Sequence, residues 1–213
     1  MQEEYKMYIN GEWINSSSGR KLETLNPETN EVWAIVPEAN NDDVDFAVKS
    51  AQKAFDTSWS QLHPRDRAKY LRSIANELRN NAEHLGKIET IDTGKLFRET
   101  KTQANYIAEY YDYFAGLADK VEGTVVPIDK EDMQVTTTRV PIGVVAAIIP
   151  WNSQMLLTAV KLAPALAMGN TVVIKASELA PVTLLEFAKL IEKTGIPKGV
   201  VNVITGLGDP CGK

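Results

Sequence analysis

Three apolar runs in the last third of the chain restrict its architecture more than any other feature. They are Gly-Val-Val-Ala-Ala-Ile-Ile at 143–149, Thr-Val-Val-Ile-Lys at 171–175 and Val-Val-Asn-Val-Ile at 200–204. Each is continuous rather than alternating, which is the pattern of a strand covered on both faces. Residues 154–168 between the first two runs are helical in character and end at Gly169-Asn170, a glycine stop. Residues 181–194 form a second helical stretch, stopped by Gly195. The order β-α-β-α-β predicts an α/β fold containing half of a doubly wound, Rossmann-like parallel sheet. Right-handed crossovers put the carboxyl ends of all three strands on one edge, where such sheets bind ligands.

The region before this unit reads as short strands followed by helices. Tyr8-Ile-Asn-Gly-Glu-Trp13 carries an Asn-Gly hairpin signal, and Asn26-Pro-Glu-Thr29 reads as a turn before a strand at 32–36. Asn41 or Asp42 is placed to cap a helix with Val44, Ala47, Val48, Ala51 and Phe55 on one face. Further helices are expected at about 65–80 and 99–117. The aromatic residues of the second, Tyr106, Tyr110, Tyr113 and Phe114, fit a core stripe rather than a cofactor cage. Residues 125–128 and 135–140 flank an Asp-Lys-Glu-Asp turn and predict an extended hairpin. The expected organisation is therefore 1–122 as the helical and strand part of a cofactor-binding domain, 123–141 as a hairpin arm suited to oligomerisation, and 142–213 as the first βαβαβ half.

Composition narrows the function. The net charge is −5 with no basic stripe, so nucleic acid is not an expected partner. Residues 1–8 lack the apolar segment of a signal peptide, and the longest apolar run, 140–151, is too short to span a bilayer. One cysteine, Cys211, excludes an internal disulfide framework. A cytoplasmic protein without membrane contact is expected.

The three strand ends supply the candidate chemistry: Pro150-Trp151-Asn152-Ser153, Lys175-Ala176-Ser177-Glu178 and Thr205-Gly206-Leu207-Gly208. An ammonium and a carboxylate three residues apart suit ribose hydroxyls or phosphate. A side-chain amide can donate to a carbonyl oxygen gathering negative charge. Each has a plainer reading: Asn152 as a helix cap, Lys175 and Glu178 as a surface pair. Glycines at 206, 208 and 212 do not make the dinucleotide fingerprint G-x-G-x-x-G.

Taken in order, the runs Val140-Pro-Ile-Gly-Val-Val … Ile149-Pro-Trp-Asn, Ala163-Pro-Ala-Leu-Ala-Met-Gly-Asn-Thr-Val-Val-Ile-Lys and Gly195-Ile-Pro-Lys-Gly-Val-Val-Asn-Val-Ile-Thr-Gly closely resemble the aldehyde dehydrogenase superfamily. Tyr8-Ile-Asn-Gly-Glu-Trp, Asn26-Pro-Glu-Thr and Glu89-Thr-Ile-Asp-Thr-Gly-Lys extend the resemblance over essentially the whole chain. It implies NAD-dependent oxidation of an aldehyde to a carboxylic acid, with NADP as the alternative cofactor and betaine-aldehyde and other broad-specificity dehydrogenases as the nearest type. Asn152 matches the oxyanion-stabilising amide; Ile149, Pro150 and Trp151 match the strand end that lines the nicotinamide. Lys175, Ser177 and Glu178 match the ribose-binding segment, and Gly208 belongs to the glycine turn beside the cofactor. Lys161 matches a helix lysine proposed to tune catalysis, or is a solvated helix lysine. Backbone oxygens matching Thr24, Leu25, Asp92 and Leu179 hold a monovalent cation in some relatives. A full-length member is expected to be a homo-oligomer.

Two departures stand out. Many relatives read Phe-Pro after the asparagine, in the region where this chain has Gln154-Met155, which leaves the substrate class open. Ala176 replaces the usual proline after the ribose lysine. The resemblance further implies that the cysteine nucleophile and the glutamate that activates water lie beyond position 213. The expected fold is thus a truncated aldehyde dehydrogenase fold, catalytic domain absent and inactive alone, with Val200 to Ile204 left as an exposed edge. Cys211 falls where the family has no nucleophile, and His63 and His84 read as surface or packing residues. Two other readings stand beside this one: a coenzyme-A-acylating or semialdehyde-specific relative, and a non-catalytic oligomerisation or regulatory module.

Overall fold

A computed structural model describes residues 3–213. The expected parallel unit is present: β8 (Val144–Ile148), α5 (Gln154–Ala167), β9 (Thr171–Lys175), α6 (Val182–Lys193) and β10 (Val201–Ile204). β8 and β10 both pair with β9 in parallel, with Ile148 and Ile204 each opposite Lys175. β9 is buried along its whole length, and its alternate residues enter different cores. Val172 and Ile174 pack with α2 (Pro64–Asn80), α4 (Phe97–Leu117), α5 and α6 on one face, while Val173 packs on the other with Ala47 and Ala51 of α1 (Asn41–Thr57). That is why the run reads as continuously apolar.

The expectation of an exposed edge at 200–204 is overturned. β2 (Met7–Ile9) lies antiparallel against β10 and carries β3 (Glu12–Ile14) outside it, giving the five-stranded order β3-β2-β10-β9-β8. The two residues of the hairpin turn, Asn10 and Gly11, both have positive φ (54° and 71°), as the Asn-Gly signal requires. A buried polar residue fixes the docking: Asn202, fully buried on β10, accepts from Asn10 N at 2.9 Å and donates to the Gly199 carbonyl at 2.8 Å. β8, not β10, is an outer strand, and its Ile148 is 56% exposed.

A second sheet of β1 (Glu3–Glu4), β4 (Lys21–Asn26) and β5 (Glu31–Pro37) has the order β1-β5-β4. The α1 cap is Asn40, one residue before the expected position. Asn40 and Asp43 form a reciprocal capping box, and Ser16 Oγ donates to Asp43 at 2.7 Å. A helix absent from the sequence reading, α3 (Ala82–Thr93), lies between α2 and α4 and ends at Gly94 with a left-handed φ of 76°. The hairpin arm is reduced to two short strands, β6 (Val125–Val126) and β7 (Val135–Thr136), exposed throughout. A Cβ at Gly123 would collide with the Thr137 carbonyl oxygen, so only glycine allows that close crossing at the base of the arm. Among the described residues no helix is long and apolar enough to cross a membrane.

Candidate functional site

The parallel register aligns the three strand ends in one row. Ile149 N donates to the Lys175 carbonyl at 3.1 Å and Ala176 N to the Ile204 carbonyl at 2.9 Å, so the strands stay hydrogen-bonded up to their last residues. The chain leaves the sheet from that row in three turns, and these turns form the rim.

The middle turn is the most ordered. The Lys175 side chain is only 8% exposed, and its Nζ donates to Glu178 Oε2 at 2.8 Å. This pair holds the Glu178 carboxyl below the usual range, against the opposing effect of partial burial. With its side chain 8% exposed, Lys175 is held more firmly than a loose surface lysine. Ser177 is buried, and its hydroxyl accepts from Leu179 N at 3.3 Å, closing the turn without Pro.

The first turn is more open. Ile149 is buried, whereas Pro150, Trp151 and Asn152 are exposed. The Asn152 side chain makes no hydrogen bond among the described residues, so it does not cap α5, and its amide is free to donate. Gln154 and Met155 are buried. They therefore do not present the variable side chains toward the rim, and Ser153, between them and Asn152, is half-buried. Lys161 lies one turn and more along α5 and donates back to the Leu157 carbonyl at 3.2 Å. That contact leaves Lys161 inside its own helix rather than joined to the Asn152 turn.

The third turn is clamped from below. Ala39 N donates to the Thr205 carbonyl at 2.9 Å, and Thr205 Oγ1 donates to the Pro37 carbonyl at 2.6 Å. The Cys211 thiol, buried and pushed up in pKa chiefly by that burial, donates to the Ala39 carbonyl at 3.1 Å. It sits under Gly206, where a Cβ would collide with its sulfur. A thiol so held is a packing group, not a nucleophile. Gly208 is exposed at the start of the short turn α7 (Gly208–Cys211), with no atom within 4 Å of the position a Cβ would take.

The four residues named for a cation do not share one environment. Thr24 and Asp92 are buried, while Leu25 and Leu179 are exposed. Asp92 Oδ2 accepts from Thr183 N at 2.9 Å and Thr183 Oγ1 at 3.0 Å. It caps α6 from a distance, because the local N-cap, Pro181, has no side-chain acceptor. Burial pushes its carboxyl up to about 7 against these bonds. Asp92 Oδ1 and Thr24 Oγ1 are buried without partners among the described residues. Sequence reasoning missed the helix that carries Asp92, as well as Lys95 beyond it, which contacts Ser153 Oγ at 3.1 Å. The two histidines match their expected plain roles: His63 is exposed ahead of α2, and His84 pairs with Glu186 at 2.9 Å. A cavity of about 670 Å³ between the start of α2 and the end of α4 shares no lining residue with the rim.

Known proteins can be set against this geometry. The sequence pattern described as the aldehyde dehydrogenase family matches residues 13–213. A (Z)-2-((N-methylformamido)methylene)-5-hydroxybutyrolactone dehydrogenase of Acinetobacter baylyi is 54% identical over 211 residues, 99% of this chain and 43% of that protein. The betaine aldehyde dehydrogenase of Bacillus subtilis is 40% identical over 97% of this chain and 42% of its own length. Among solved structures, a betaine aldehyde dehydrogenase of Staphylococcus aureus in complex with NAD+ superposes with a TM-score of 0.94 at 38% identity, covering 97% of this chain and 42% of that one. An NAD-dependent aldehyde dehydrogenase of Sinorhizobium meliloti gives 0.95 at 33% identity, covering 100% and 43%. The chain thus spans less than half the length of the relatives it matches.

Proposed function

The chain belongs to the aldehyde dehydrogenase family, and from that membership we propose that its rim binds NAD and serves the oxidation of an aldehyde to a carboxylic acid by the whole protein. The observation that carries the reading is the nearly buried Lys175 paired with Glu178 at the end of the central parallel strand. The donor set fits the cofactor. The ammonium and the carboxylate together match a pair of ribose hydroxyls, one donating and one accepting. Glu178 would repel a 2′-phosphate, so NAD is preferred over NADP. Ser177 holds the turn in register, and the open space above Gly208 leaves room for close approach. Ile149, Pro150 and Trp151 form the flank assigned to the nicotinamide.

NAD, when bound, supplies the hydride acceptor. This chain contributes orientation and charge stabilisation. Asn152 donates its amide N–H to the oxygen of the aldehyde carbon as negative charge develops there. A tuning role for Lys161 is carried by the resemblance alone, since its ammonium donates within α5. The substrate is a small aldehyde of the broad class that the named relatives handle, and the protein is placed in the cytoplasm. The exposed arm carries Val125, Ile128, Met133 and Val140 in the open; covering these by a second copy gives the homo-oligomer. A monovalent cation near Thr24, Leu25, Asp92 and Leu179 is part of the proposal, supported by the partnerless Asp92 Oδ1 and Thr24 Oγ1.

The central test is a titration of the whole protein with NAD and NADP, followed by aldehyde-dependent NADH formation. Binding of NAD at least tenfold tighter than NADP is expected, with aldehyde-dependent turnover; equal or reversed preference would overturn the ribose assignment. Residues 1–213 alone are expected to yield no NADH from any aldehyde. Assembly with no binding of NAD by the whole protein would favour the non-catalytic module instead. For the cation, melting in potassium chloride against choline chloride should show stabilisation that Asp92→Asn removes.

A further inference from the structure

Ser153 occupies the N-cap position of α5, yet its hydroxyl caps nothing. A serine there ordinarily accepts from an N–H two or three residues on. Here the backbone sits at φ −162° and ψ 63°, and Ser153 Oγ accepts instead from Lys95 Nζ at 3.1 Å. The same ammonium donates to Gln103 Oε1 at 3.1 Å and lies 3.7 Å from Glu89 Oε1. Two of its N–H donors thus reach α4 and the turn after β8, while the α3 carboxylate adds its charge at longer range. The Glu89 side chain is 1% exposed and that of Lys95 24%, so the hub is largely shielded from water and is not an ordinary exposed ion pair. Burial pushes the Glu89 carboxyl up, and Lys95 pulls it part of the way back.

The backbone around Lys95 is fixed as well. Gly94 ends α3 in the left-handed region, Thr93 Oγ1 donates to the Glu89 carbonyl at 2.5 Å, and Lys95 N donates to Thr93 Oγ1 at 3.4 Å. The ammonium therefore reaches the rim from a rigid corner. Asn152, the neighbour of Ser153, is exposed and has no side-chain hydrogen bond among the described residues. Its own side chain does not anchor it, and the contact from Lys95 to Ser153 ties the turn to the helices.

We infer that Lys95 is a positioning residue for the oxyanion donor: by holding the Ser153 hydroxyl it fixes the turn that presents Asn152. The inference rests on the reading of the rim as an aldehyde dehydrogenase site. Lys95 touches no reacting atom in this scheme: its ammonium donates to Gln103 and Ser153 and stays in ion-pair range of Glu89.

The test is made in the whole protein, with kcat, the KM for aldehyde, the dissociation constant for NAD and the melting temperature measured together. Lys95→Met is expected to lower kcat about tenfold, as misplacement of an aligned group does, while NAD binding stays within about twofold. Lys95→Arg, which retains the charge and the donors, should recover most of the rate. Because Lys95→Met strands Glu89 and can impair folding, Ser153→Ala provides a second route: it cuts the tether, leaves the ion pair in place and should also lower kcat. The decisive comparison adds Lys95→Met, or Ser153→Ala, to Asn152→Ala. If Lys95 acts through Asn152, the second change costs less than about twofold, since coupled residues are not additive. Multiplying losses, or wild-type kcat in Ser153→Ala and a folded Lys95→Met, would overturn the inference while leaving the proposed function intact. A whole protein that oxidises no aldehyde, or one whose Asn152→Ala variant keeps the full rate, overturns that underlying reading and the role of Lys95 with it.

Discussion

Lys175 and Trp151 leave the ends of adjacent strands, yet the Lys175 side chain is 8% exposed and Trp151 is 51% exposed. The turn after β9 is stabilised locally: Lys175, Ser177, Glu178 and Leu179 bond to one another within five residues. The turn after β8 has no such local network, and its anchor, Lys95, comes from 58 residues away in sequence. In the proposed reading, one flank of the rim is prebuilt for the ribose, and the other carries the group that would meet developing charge, its order imported from the helical layer. Binding and catalysis should therefore respond to different substitutions in the same row of strand ends.

The sharpest way to break this comparison is Asn152→Ala. Loss of an oxyanion donor is expected to lower kcat about 10²–10³-fold with NAD affinity unchanged; a comparable loss of NAD affinity, measured by calorimetry, would erase the division of labour. Lys175→Met should do the reverse, weakening NAD about tenfold to a hundredfold, because the carboxylate is left without its charged partner. Glu178→Gln is a smaller change, about tenfold on NAD, and should narrow the preference over NADP as the repulsion of a 2′-phosphate disappears.

The smallest effect is expected at the third turn, through its support rather than its contacts. Asp43 is buried beside the α1 cap. Burial alone would raise its carboxyl, but bonds from Ser16, Ser17 and Asn40 together hold it below the ordinary carboxylate value. A carboxyl lowered in the folded state adds stability above its unfolded pKa of about 3.9 and loses it as pH falls through the folded value. Asp43→Ala should therefore cost about 1 kcal/mol near neutrality, and the gap from wild type should close in more acidic solution. A chemical-denaturation series against pH checks this; a gap that widens on acidification would contradict the assignment.

The sequence made the parallel unit legible because β9 and β10 are buried on both faces, and such strands cannot hide among polar residues. It also exposed the rim residues, since they directly follow those strands. It concealed α3 for the opposite reason. The buried face of α3 holds Gly86, Glu89 and Asp92 among its few apolar residues, so no apolar period marks it. A Cβ at Gly86 would lie 2.9 Å from the Lys101 backbone, which shows why a weak helix former stands there. The partners that make buried acids tolerable, Lys95 for Glu89 and Thr183 for Asp92, come from the next turn and from another element. The pairing of β10 was hidden likewise, because the strand that covers it is encoded at the other end of the chain.

That last pairing has a consequence in time as well as space. Tyr8 lies opposite Val203, so the first hairpin emerges from the ribosome long before the strand it completes. At 5–20 residues per second the wait is roughly 10 to 40 s, during which Met7 and Ile9, fully buried in the finished sheet, have only β3 beside them. Long-range pairing of this kind slows folding.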